Sequence, residues 1–345
     1  MRVFNLNLKP RSAQSRGWAT RMLPLGQLCL ALNSYAQEPI QDSVSYLDYT
    51  SCLQKALLSE DDTTTLGDIR NRCRQVDQPK PLSSRKLNEE VTEQNPFVLT
   101  PHRLNYALLS HYANGVNETP FEEQAGKTLA YHDEEVQFQL SFKFPLYKDL
   151  VLFDKSFDFY AAYTNRSFWQ FFDDQDSIPF RETNHEPEVW VEWDADFDFP
   201  FEFNLHKLML GVNHQSNGQT SILSRGWNRI FLQGFLQHKN SFLSFKTWRR
   251  FDEKDEFDNS FNYQKYLGDY ELEAAYKWNK NTFAMTLRNR YDANRYGSVQ
   301  LEYTYPINRR LKGYVQYFNG YGDSLIDMQY FSRKLGIGIV LADRI

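Results

Sequence analysis

From Phe97 onward, apolar and polar residues exchange places at almost every step. Val136, Phe138, Leu140, Phe142 and Phe144 share one parity, while Gln137, Gln139, Ser141 and Lys143 share the other. The same period of two carries Tyr270, Leu272, Ala274, Tyr276 and Trp278, then Phe283, Met285 and Leu287, then Val299, Leu301, Tyr303 and Tyr305. Successive side chains of a strand point to opposite faces, so this rhythm sorts one chain into an apolar face and a polar face only if it is extended. The expectation is an all-β fold.

Alternation alone describes both a half-buried soluble sheet and a membrane barrel. Two features favour the barrel. The polar parity carries charges as well as hydroxyls and amides, as a hydrated or hydrogen-bonded lumen would. Aromatic residues make up 16% of the chain, and they crowd the strand ends, where interface girdles sit. No stretch beyond the N-terminus offers the ~20 uninterrupted apolar residues a membrane helix needs. Counting alternating segments from Phe97 to Asp343 predicts about twelve antiparallel transmembrane strands of roughly ten residues.

The first residues read as an export signal. Arg2, Lys9, Arg11, Arg16 and Arg21 precede any acidic residue, an apolar stretch runs from Met22 to Leu32, and Ser34, Tyr35 and Ala36 supply a cleavage site. Removing those five positive charges takes the net charge from −5 to −10, and a chain with no basic excess is not expected to bind nucleic acid. Three segments follow: residues 1–36 as signal peptide, 37–95 as a short, partly helical periplasmic extension with helix-like spacing around Leu53, Leu57 and Leu58, and 96–345 as the barrel. Cys52 and Cys73 remain as an even pair in an oxidising compartment, where a disulfide is expected.

Within the barrel, "GVNHQSNGQTSILSRGWNR" (Gly211 to Arg229) sets polar groups on an apolar parity. His214 and Ser216 continue the face of Leu208, Leu210 and Val212, about 6.6 Å apart along one strand. At that spacing a rotamer change brings a serine hydroxyl within reach of an imidazole, and serine needs such a base to become a nucleophile. Asn228, with Ile230 and Leu232 on its parity, begins the next strand, and a hairpin sets it beside His214. Asparagine orients the histidine of cysteine proteases in the same way. His102, His111, His132, His185, His206 and His238 have no metal-ligand spacing, so zinc is not expected. Arg181 and Glu182 read as lumenal members of a structural ion pair, and Asp173, Asp174 and Asp176 as a solvated acidic loop.

"HQSNG" followed by "SRGWNR" in a barrel resembles the bacterial outer membrane phospholipase A family. The resemblance extends through "YTNRSFWQ" (Tyr163 to Gln170), "SIPFRETNHEP" (Ser177 to Pro187) and "YGDSLIDM" (Tyr321 to Met328), and covers nearly everything after Asn95. It implies a calcium-dependent, twelve-stranded barrel in the outer membrane that hydrolyses phospholipid acyl esters as a homodimer. By position, Ser216 corresponds to the nucleophile, His214 to the base, Asn228 to the orienting residue and Gly218 to the amide that holds the oxyanion. Gln219 and Ser224 correspond to calcium ligands of one subunit and Ser177 to the ligand given by its partner, with Asp258 left for a second calcium site. The chain departs from the family at Asn165, where a glutamine bonds across the dimer, at Ser221, where an aspartate stands, and at its terminal Ile345. A non-catalytic pore or adhesin, or a lipid A deacylase, is the alternative reading.

Overall fold

Every long strand of the chain hydrogen-bonds two antiparallel neighbours, and the last pairs with the first. The computed structural model describes residues 65, 67, 69, 81–93, 95, 98–126, 131–173, 180–251, 261–292, 295–308 and 311–342, all within the unit Asp61–Ile345. The signal segment, Leu53 to Leu58, Cys52, Cys73, Asp174, Asp176, Ser177, Asp258 and Ile345 lie outside the described residues.

Twelve strands close the barrel: β1 (Asn105–Ala113), β2 (Glu134–Leu152), β3 (Lys155–Trp169), β4 (Phe180–Phe199), β5 (Phe203–Ser216), β6 (Gly226–His238), β7 (Ser241–Arg250), β8 (Tyr270–Trp278), β9 (Asn281–Asn289), β10 (Ser298–Pro306), β11 (Lys312–Gly320) and β12 (Ser332–Ala342). A two-residue stretch, Thr100–Pro101, adds to β2. Among the described residues there are also three α-helices, α1 (Pro81–Glu93), α2 (Thr119–Ala125) and α3 (Tyr263–Leu267), and two 3-10 turns, Pro200–Glu202 and Ser221–Leu223. Closure leaves no unpaired edge, which the hydrocarbon region would penalise.

The parity predicted from the sequence is the parity of the wall. On β9, Phe283 and Met285 are exposed while Thr282 and Ala284 are buried; on β5, Leu210 and Val212 are exposed while Met209 and Asn213 are buried. The apolar face is therefore outside. Exposed aromatics collect at both ends, with Phe153, Phe199, Phe201 and Trp278 at one and Tyr112, Phe171, Phe180 and Phe251 at the other. These two bands mark the membrane interfaces. The first end has short turns, the second the longer loops that carry α2 and α3, which corresponds to periplasmic and extracellular sides.

The strands are less uniform than the expected ten residues. β2 and β4 run 19 and 20 residues, beyond the roughly 9–11 that span a bilayer. The surplus extends past the membrane on the short-turn side, where Asp149, Asp154 and Lys155 are exposed and the β2–β3 register shifts twice between Pro145 and Leu150.

Charged groups fill the lumen and satisfy one another. Glu188 receives Arg103 at 2.8 Å, Lys246 at 2.8 Å and the His102 ring at 3.1 Å, and Glu186 receives Arg103 through two bonds and Arg229 at 3.0 Å. At the short-turn end, α1 enters this network. Its Pro81 occupies the first helical position, where the missing N–H costs nothing. The Leu82 N–H donates to Gln237 Oε1 at 2.8 Å, Glu89 pairs with Lys143 at 2.8 Å and Lys86 pairs with Asp194.

Candidate active site on the outer wall

Near its extracellular end, β5 turns Asn213 inward and Val212 and His214 outward. Antiparallel register then sets the neighbours. His214 is directly opposite Asn228 and Ser216 opposite Gly226 on β6, while His185 on β4 is opposite Ser216 from the other side. His214 Nδ1 and Asn228 Oδ1 are 2.8 Å apart. With the carboxamide oxygen accepting Nδ1–H, the ring keeps its lone pair on Nε2, the form a general base requires. The Asn228 carbonyl also accepts the Phe251 N–H at 2.9 Å, which anchors the orienting strand at the aromatic band.

Gly226 keeps the space over the pair open. A Cβ there would stand 3.5 Å from Ser216 Cβ and 3.9 Å from His214 Cε1, so both residues border one small gap on the outer wall. From the lumen side, the Gly226 N–H donates to the Tyr263 hydroxyl at 2.9 Å. Tyr263 is fully buried and stacks on Trp227 at 5.6 Å with ring planes 9° apart; Arg229 lies 4.0 Å over the same indole. The wall behind the serine is therefore a stacked aromatic and guanidinium layer.

The loop from Asn217 to Arg225 is held by one buried carboxamide. Asn217 Oδ1 accepts the Gln219 and Arg225 N–H groups at 3.3 and 2.9 Å, and Nδ2 donates to the Leu223 carbonyl at 2.8 Å and to Glu182 at 3.3 Å. Gly218 has φ 65°, a left-handed conformation that a side chain would strain. Leu223 packs with Phe121 of α2 and Ile326, so the first and last extracellular loops brace this one.

The distant motifs meet here. A bulge on β4 puts Arg181 and Glu182 both inside, because Trp169 pairs with Phe180 while Phe168 pairs with Glu182. Arg181 ion-pairs Glu135 at 2.6 Å and Asp327 at 2.9 Å. Glu182 has a different task from the ion pair expected of it: besides Asn217, it accepts the Asn184 side chain and the Ile326 N–H. Asn184 Oδ1 accepts the Leu325 N–H at 3.1 Å. Asn217, Glu182 and Tyr263 were not identified as site residues from the sequence; "SNG" and "FRET" held two of them, but nothing local announces Tyr263.

Among the described residues, no group of three or more His, Cys, Asp or Glu could hold a metal ion. Gln219 and Ser224 offer neutral oxygens, and Arg225 already occupies the carbonyls of Ile222 and Ser224 at 2.7 and 2.8 Å. This donor set suits a hard cation, since such ions prefer oxygen, but supplies fewer than the six to eight ligands calcium takes.

The sequence model of the Phospholipase A1 family matches residues 82–341. Phospholipase A1 of Proteus vulgaris is 35% identical over 268 residues, covering 77% of this chain and 89% of that protein. Among solved structures, outer membrane phospholipase A from Escherichia coli superposes with a TM-score of 0.66 at 30% identity, covering 72% of this chain and 100% of that one. The calcium-bound outer membrane phospholipase dimer of Salmonella typhi gives a TM-score of 0.67 at 30% identity, covering 74% and 97%.

Proposed function

Since this chain belongs to the phospholipase A1 family, we propose that it is a calcium-dependent phospholipase of the outer membrane that cleaves both acyl esters of glycerophospholipids, through Ser216, His214 and Asn228, as a homodimer. The observation that carries this reading is the 2.8 Å contact between His214 Nδ1 and Asn228 Oδ1, on the lipid-facing wall and one alternation from Ser216. A phospholipid diffusing in the bilayer reaches such a site sideways, without leaving the membrane.

In this mechanism His214 Nε2 removes the Ser216 hydroxyl proton as Oγ attacks the ester carbonyl. Negative charge moves onto the carbonyl oxygen, which the Gly218 N–H faces as an oxyanion donor. Asn228 holds the imidazolium in place. His214 then gives its proton to the departing glycerol oxygen, releasing lysophospholipid, and the acyl-serine is hydrolysed by water with His214 again acting as base.

The Gln219 carbonyl, the Ser224 hydroxyl and Ser177 of the partner subunit would hold a calcium ion, which would supply positive charge to offset that of the oxyanion. With no carboxylate among those ligands, ion and partner each strengthen the other's binding by reciprocal linkage. Such an arrangement leaves an enzyme embedded in its own substrate quiet until two copies meet.

The test is hydrolysis of phospholipid in mixed micelles by wild type and Ser216→Ala, with calcium and with chelator, alongside sedimentation in detergent. Wild-type turnover lost in the variant and under chelation, with a calcium-dependent dimer, is the expected result. Turnover by a folded Ser216→Ala barrel would refute the serine assignment, and full activity in a calcium-free monomer would refute the coupling.

A further inference from the structure

We propose that His185 is a second hydrogen-bond donor to the ester carbonyl oxygen under attack, acting beside Gly218; this rests on the reading of Ser216 as nucleophile. His185 is directly opposite Ser216 in the β4–β5 pair, so the two side chains leave the same face of the wall, about 5 Å apart at Cβ. Its ring lies over the glycine that begins the oxyanion loop. A Cβ at Gly218 would be 3.6 Å from both Cδ2 and Nε2 of His185. Nε2 therefore borders the open space beside the Gly218 Cα, next to Ser216 on the same wall.

The proton's position follows from a chain of hydrogen bonds along the outer wall. Thr183 Oγ1 donates to Ser167 Oγ at 3.1 Å, and Ser167 Oγ donates to Asn165 Oδ1 at 3.0 Å. That sequence of donors fixes the Asn165 carboxamide, so its Nδ2 faces His185 Nδ1 at 3.4 Å. The Tyr163 hydroxyl reaches the same nitrogen at 2.5 Å. With the Asn165 amide and the Tyr163 hydroxyl both donating, Nδ1 is the acceptor, and in that arrangement the neutral ring carries its proton on Nε2. The donor is thereby on the ring edge that faces Gly218.

The chemistry has room for such a group. Beside the Gly218 amide and the charge that calcium would supply, a further well-placed donor to a tetrahedral oxyanion contributes about 10²–10³ in kcat. His185 makes and breaks no covalent bond; its Nε2–H bond to the carbonyl oxygen shortens as charge develops and relaxes when the acyl-serine forms. Asn165, which stands where the family has its dimer-contact glutamine, is thereby placed to set the His185 tautomer.

The test compares wild type, Ser216→Ala, His185→Phe and His185→Gln on phosphatidylcholine in detergent micelles with calcium, reading kcat and KM separately, with heat-modifiable gel migration to check the barrel. His185→Phe keeps ring bulk without a donor, and kcat should fall about 100-fold with KM little changed. His185→Gln restores an N–H and should recover most of that loss. Wild-type kcat in His185→Phe with an inactive Ser216→Ala would overturn only the His185 assignment, as would a loss confined to KM or a Gln variant as impaired as Phe. An active Ser216→Ala would overturn both readings.

Discussion

The Tyr263 hydroxyl accepts the Gly226 N–H from inside the barrel at 2.9 Å, and Gly226 is the residue paired with Ser216 on the outside. A side chain from the loop between β7 and β8 thus sets the strand pair that carries the proposed nucleophile. Tyr263→Phe keeps the stack on Trp227 but leaves the half-buried Gly226 N–H without its acceptor, at about 1 kcal/mol. The expected outcome is a folded barrel with a lower unfolding midpoint and reduced kcat, measured by denaturant titration followed on gels and by turnover. A variant unchanged in both would show that the strand pair needs no support from within.

Asn228→Ala removes the acceptor of His214 Nδ1 while leaving base and nucleophile. Turnover should fall about ten- to a hundredfold and stay above that of Ser216→Ala, because orientation is worth less than the nucleophile itself. Kinetics on a single phospholipid at saturating calcium decide it. Equal inactivity of the two variants would assign Asn228 more than an orienting role.

Asn217→Ala opens the loop that holds Gln219 and Ser224, since one carboxamide makes three of its internal bonds. It also strips a partner from buried Glu182. Under the calcium reading, the ion must then order the loop itself, so half-maximal activity should need on the order of tenfold more calcium, with much of kcat restored at saturation. A calcium titration of activity tests this, and an unshifted midpoint would separate the loop from the ion.

Acid should loosen α1. Burial alone would raise the Glu89 carboxyl, but Arg85, Lys143 and Lys207 outweigh it and hold the group well below the usual carboxylate range. A carboxyl whose pKa is depressed in the docked state stabilises docking above the undocked value, near 4.5, and loses that contribution as pH falls below it. Hydrogen exchange of the α1 amides should therefore rise at about pH 3.5 relative to neutral pH, and Lys143→Ala should raise it at neutral pH too. Protection that is flat across this window would remove Glu89 from the docking energy.

Much of this molecule was legible before any coordinates. The parity of Val136 to Phe144 and of Tyr270 to Trp278 assigned the lipid-facing and lumenal sides, because a strand has only two faces and the solvent on each must suit half of the residues. For the same reason His214, Ser216 and Asn228 could be placed together: two lie on one strand and the third one hairpin away, so local spacing and one register suffice. Arg181 and Glu182 show where that logic stops. Parity sends adjacent residues to opposite faces, yet a one-residue bulge turns both inward, and which residue bulges depends on how Trp169 and Phe180 pair across strands. The same holds for Tyr263 beneath Gly226, for His185 opposite Ser216, and for α1 within the barrel mouth. Each is a contact between segments far apart in the chain, selected by closure of twelve strands into one ring, and no local period records which distant residues that closure will bring face to face.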